Sequence, residues 1–147
     1  MKKIIKIGMG LMMLTTSLFA VKDYQLRAVE HKILQKKLPN CINVKSYYDK
    51  VYCSMKVYSV LDDVLNKEYR EVRKHLSRNQ KNRLRKVQMN WIHNRDKKCA
   101  NISRYGNITV DMTCAKKQTL ESILYLQEMK KNPNDFELIL REYKNGE

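Results

Sequence analysis

Glycine and proline are scarce in this sequence, with 4 and 2 residues among 147. A sheet protein built on many tight turns needs more of both. No stretch of alternating apolar residues is long enough to suggest a sheet either. No C-x-x-C pair is present, which removes the closely spaced ligands of a four-cysteine zinc site. A phosphate-binding glycine loop and a nucleophile-elbow serine are also missing. The three histidines, His31, His75 and His93, are scattered. His93 and Asp96 share a helical face, as a general base and its orienter would, yet an exposed pair on a solvated face is the better explanation. The expectation is a protein that is not an enzyme and holds no cofactor and no metal.

Lys2, Lys3 and Lys6 precede an apolar run, IGMGLMMLTTSLFA, ending at Ala20. This is the layout of a secretory signal peptide, assigned to residues 1–20, with an uncleaved membrane anchor as the alternative. Export places Cys41, Cys53, Cys99 and Cys114 in an oxidising compartment, where an even set forms two disulfides. Three connectivities exist; the nearest available partners are Cys41–Cys53 and Cys99–Cys114, each closing a short loop. The expected location is periplasmic or secreted.

Where apolar residues recur, they do so at helical spacing. From Cys53, the positions Val57, Val60, Leu61, Val64, Leu65, Tyr69, Val72 and Leu76 mark one long amphipathic helix. Ser77 and Gln80 have the spacing of a capping box, so a second helix follows almost without a loop. Its apolar face carries Leu84, Val87, Trp91, Cys99 and, at the end, Ile102. Arg104–Asn107 breaks it, with Gly106 suited to the left-handed conformation after a helix. A third helix begins near Thr109 or Asp111 and turns Leu120, Ile123, Leu124 and Gln127 inward. After a break at residues 132–135, a short last helix presents Phe136, Ile139, Leu140 and Tyr143. The fold expected is all-α: a small antiparallel bundle of three to four helices stapled by two disulfides. It comprises a basic segment at 21–40, a helical domain at 41–130 and a short helix or tail at 131–147. The basic segment is only weakly amphipathic, which fits a loosely docked helix or a mobile arm.

Gln88, Trp91, Arg95 and Cys99 lie along one stripe of the second helix, at steps of three, four and four. Asp62, Leu65, Asn66 and Tyr69 form a matching stripe on the first. Two helices joined by a tight turn face each other, so the stripes are expected to meet as a structural seam. Arg95 then needs a carboxylate, because an unpaired buried charge is costly; Asp62 is the first candidate, with Asp63 or Asp96 as substitutes.

The segment LDDVLNKEY (Leu61–Tyr69), the pattern Q-x-x-W-x-x-x-R-D-x-x-C (Gln88–Cys99) and the flanking Cys41, Cys53 and Cys114 resemble the lysozyme-inhibitor LprI-like family. The resemblance covers about Cys41 to Leu126. It implies a small exported helical protein of bacteria, with inhibition of lysozyme as the family's best-known activity. In one place the chain departs from the family pattern. The family has T-x-x-R in the last helix, whereas Thr119 is followed here by Ser122, so a contact made by that arginine is not carried over.

Charge of one sign dominates: 30 Lys and Arg against 15 Asp and Glu, a net +15. Loss of the three N-terminal lysines leaves 27 against 15, or +12. Such a protein is drawn to anionic partners and repelled by cations. The densest basic run holds Arg78, Lys81, Arg83, Arg85 and Lys86, the candidate contact for an anion, although a solvated helix face explains it too. No aromatics are interleaved to stack bases, so no specific nucleic-acid signature is present. The function expected is that of an exported binding protein that inhibits lysozyme by direct contact. The alternative is a basic envelope protein binding an anionic cell-surface polymer or lipid.

Overall fold

The computed structural model describes residues 21–146. The expected signal peptide, residues 1–20, lies outside the described residues. Five helices are present among them: α1 (Asp23–Lys37), α2 (Tyr47–Lys74), α3 (Arg78–Lys98), α4 (Met112–Lys131) and α5 (Phe136–Asn145). Two three-residue strands, β1 (Ala100–Ile102) and β2 (Ile108–Val110), pair antiparallel between α3 and α4. Among the described residues, no helix is long and apolar enough to cross a membrane.

The helix ends follow from their side chains. Ser46 opens α2 by accepting from the Asp49 backbone N–H at 3.1 Å. The 28 residues of α2 contain neither glycine nor proline, so nothing interrupts the ladder before His75. Ser77 then opens α3 with the expected reciprocal cap: Gln80 N–H donates to Ser77 Oγ at 3.3 Å, and Ser77 N–H to Gln80 Oε1 at 3.0 Å. Asp111 caps α4 by accepting from the N–H groups of Thr113 (2.9 Å) and Cys114 (3.0 Å). Each cap satisfies backbone donors that have no partner inside the helix.

The core is continuous through all five helices. Leu26 and Leu34 of α1, Leu61 and Leu65 of α2, Leu84 and Trp91 of α3, Ile123 and Leu126 of α4, and Phe136 and Ile139 of α5 belong to one buried cluster. The segment at 21–40 is thus a docked helix and not a mobile arm, added to the four helices that follow it. Its weak amphipathicity hid this, because two buried leucines suffice to seat a 15-residue helix. Glu30 and Lys116 hold it at 2.8 Å, and Asp23 and Lys117 at 3.4 Å.

Two local expectations are corrected. Ile102 is a strand residue with an exposed side chain, outside the α3 face. Gly106 does adopt positive φ, at +78°, but at the tip of the β1–β2 hairpin and not behind a helix. There Gly106 N–H donates to Ser103 O at 3.0 Å and Asn107 N–H to Ser103 Oγ at 3.0 Å, closing a tight turn.

The helix pairing also differs. The closest neighbour of α2 is α4, with α3 held farther off. The buried α4 face includes Ala115, Thr119 and Ser122, small enough to let two backbones approach. The α3 face instead offers Gln88, Trp91 and Arg95, whose bulk keeps its axis at a distance.

Two disulfides, Cys41–Cys53 and Cys99–Cys114, are formed as nearest-neighbour pairing predicts, across 12 and 15 residues. Among the described residues no cysteine is free and no cluster of three metal-ligating side chains occurs.

Candidate functional site

Arg95 projects from α3 toward α2 and α4, with its side chain only 9 % exposed. Its guanidinium stacks near the Trp91 ring (5.0 Å to the centroid) and the Tyr58 ring (5.7 Å). Asp96 Oδ1 accepts from both Nε and Nη2 at 2.9 Å. Asp62 Oδ1 lies 3.5 Å from Nη1, as does Thr119 Oγ1. Thr119 in turn donates to the Ala115 carbonyl at 2.8 Å. The cation is thus compensated by two carboxylates at the surface and two aromatic faces beneath it. Burial pushes the Tyr58 hydroxyl above its ordinary range, while the Arg95 charge pulls it down and Asp62 and Asp96 push it up.

The seam is narrower than its sequence stripes. Asp62, Trp91, Arg95 and Asp96 come together, and Leu65 is buried in the core. Asn66 is exposed and opens onto a groove beside α1. Tyr69 accepts a hydrogen bond from Arg73 at 2.9 Å within its own helix. Asp63 is exposed on the groove side, away from Arg95. Gln88 is buried, and its Oε1 accepts from the Tyr143 hydroxyl at 2.8 Å. That hydroxyl also bonds Ser122 Oγ. Ser122, standing where the resemblance implies an arginine, therefore belongs to a buried polar bridge joining α3, α4 and α5. Tyr58, Thr119 and Tyr143 were missed as polar partners because periodicity reports which face a residue occupies, not what its terminal atom meets.

At the end of the bundle that carries both disulfides, the chain turns outward. Every residue from 101 to 110 is exposed. Ile102 (72 %), Ile108 (70 %) and Tyr105 (89 %) project from the hairpin. Its root is fixed by the Cys99–Cys114 bridge and by Asp111 N–H donating to Cys99 O at 2.8 Å. The first turns of α2 add exposed Tyr47, Tyr48, Tyr52 and Met55. Cys53, Val57, Met112 and Thr113 line one depression, which places the start of α2 beside the start of α4 and the hairpin root. Ile102 before the turn residues Arg104–Asn107 and Ile108, Thr109 and Val110 after them are β-branched, but strands of three residues are too short to read as a hairpin from sequence.

The candidate anion-contact run is divided. Arg83 is bridged to Glu137 of α5, and Lys81 is half-buried, while Arg78, Arg85 and Lys86 remain exposed. His93 is exposed, and Asp96 Oδ1 is engaged by Arg95.

A search of curated proteins and of solved structures gives no match. The family model described as lysozyme inhibitor LprI matches residues 41–134, the span from the first cysteine to the turn before α5. It covers the capped α2–α3 pair, both disulfides, the Trp91–Arg95 seam and the hairpin. With more than half of its length matched, the chain belongs to the lysozyme inhibitor LprI family.

Proposed function

We propose that this protein is an exported binding protein that inhibits lysozyme by direct contact, presenting the disulfide-bearing end of the bundle to the enzyme. Family membership over residues 41–134 carries the reading. The choice of surface is supported by the exposed run 101–110. Contiguous exposed apolar and aromatic side chains mark interaction sites, and tyrosine is enriched among the residues that dominate binding. A protrusion already fixed by a disulfide loses little freedom on docking. The hairpin tip also carries Arg104 beside Tyr105. Lysozyme works with two carboxylates in a cleft, so a guanidinium on a narrow tip meets opposite charge there even though both proteins are basic.

The test is lysis of bacterial cell walls by lysozyme with increasing amounts of the purified protein, at low and physiological salt. Lysis should slow in proportion to added protein, and Tyr105→Ala should weaken the effect without lowering the Tm. Loss of inhibition at every salt concentration, together with salt-sensitive binding to an anionic envelope polymer, would replace this reading with the second one. That reading, a binder of anionic surface polymer, is favoured by exposed Arg78, Arg85 and Lys86, for which no ion pair occurs among the described residues.

A further inference from the structure

Far from the hairpin tip, α1 and α2 diverge and leave an open groove of about 880 Å³ above α4. Its floor is apolar: Val29 and Ile33 from α1, Val60 and Val64 from α2, and Leu124 from α4. All five are only half-covered, although the periodicity of α2 and α4 marks three of them as core-facing. A volume of this size falls within the range of small-molecule sites, about 300–1,000 Å³.

The rim is cationic. Seven lysines and arginines line the groove against two carboxylates, Asp63 and Glu68. Glu68 is paired with Lys130 and Glu128 with Lys131, which leaves Lys32, Lys36, Lys37, Lys67 and Arg70 as the rim's further cations. Lys36, Lys37, Lys130 and Lys131 stand in the last turns of α1 and α4, where they also answer the negative ends of those helices. Lys32 and Lys67 lie in mid-helix, and no helix end accounts for them. Cations from three helices thus converge around one apolar floor.

We propose that this groove binds an anionic phospholipid, its acyl chain along the apolar floor and its phosphate among the rim cations. Apolar area removed from water holds the chain, and several lysines around one phosphate select for the charged headgroup. Free phosphate finds no apolar contact to make, and a zwitterionic headgroup brings a cation to a cationic rim. The N-terminal apolar run of this chain carries Lys2, Lys3 and Lys6 and suffers the same repulsion. The site is independent of the lysozyme reading and lies on different residues.

The experiment is titration of the purified protein with lysophosphatidylglycerol below its micelle concentration, followed by chemical-shift changes and calorimetry. Lysophosphatidylcholine, inorganic phosphate and an acidic amphipathic peptide serve as comparisons. Saturable binding of lysophosphatidylglycerol, at least tenfold tighter than that of the other three, is expected, with shifts at Val64 and Leu124. The double variant Lys32→Glu/Lys67→Glu changes only exposed side chains and should weaken this binding at least tenfold while leaving Tm unchanged. Leu124→Met, a packing-neutral change, should alter the chain-dependent shifts. Equal affinity for the choline lipid, tighter binding of the peptide, phosphate binding as strong as the lipid's, or no binding would each overturn the proposal. Lysozyme inhibition measured on the same Lys32→Glu/Lys67→Glu variant should be retained, which separates the two sites.

Discussion

Trp91 was legible as a core residue from its place on the α3 stripe, and it is 4 % exposed. Trp91→Ala should destabilise by about 3–5 kcal/mol, as loss of a buried aromatic does, measured by denaturant midpoint. Arg95 spans the same packing, yet its carboxylate partners Asp62 and Asp96 are 46 % and 60 % exposed and are readily hydrated once released. Arg95→Met, which keeps the stem against Trp91, should therefore cost less than Arg95→Ala; equal losses would place the stabilisation in charge pairing. The Tyr143 hydroxyl was not legible, since apolar periodicity explains the ring without it. Tyr143→Phe leaves Gln88 and Ser122 short of a partner in the interior and should cost about 1–3 kcal/mol. Adding Ser122→Ala should cost less than the two single changes together. Burial holds the Glu121 carboxyl above its usual range, against the pull of Lys117 and Lys98. The native state then keeps its proton where the unfolded chain has released it, so stability falls as pH rises through that window. Glu121→Gln should raise Tm at neutral pH, with the gain vanishing below the ordinary carboxylate range.

Helices α2 to α5 could be read directly, because each repeats its apolar residues every three or four positions and meets a capping residue or a proline turn at its boundary. The Ser77–Gln80 cap was readable to the residue. Elements whose pattern is too short escaped. Three-residue strands give no alternation to count, and β1 looked like the tail of α3. The closeness of α2 to α4 was hidden as well: it depends on the small size of Ala115, Thr119 and Ser122, whereas a tight α2–α3 turn suggested the other pairing. The hairpin has few buried contacts of its own and relies on its root. Replacing Cys99 and Cys114 by alanine opens a 15-residue loop and should cost about 3 kcal/mol in the chain-entropy model. Amide exchange at residues 100–110 should accelerate more than in the α2–α4 core, and lysozyme inhibition should fall further than global stability accounts for.

Across the whole molecule, charge sets the long-range behaviour. At physiological ionic strength the Debye length is about 8 Å, so repulsion between two basic proteins is largely screened, and the contacts proposed at the hairpin, being short-range, would persist. Inhibition of lysozyme should therefore hold or strengthen as salt rises from low to physiological levels. Binding through Arg78, Arg85 and Lys86 to an anionic polymer should weaken over the same range, and lysis assays at several salt concentrations distinguish the two. The disulfide layout has a consequence of another kind. The bridges join the first cysteine to the second and the third to the fourth; they neither cross nor enclose one another. A chain oxidised progressively from its N-terminal end reaches the native pairing through order of appearance alone. Cys53 meets only Cys41, and with that pair closed, Cys99 has no thiol to react with until Cys114 arrives. Correct assembly then requires an oxidant but no reshuffling of mispaired bonds.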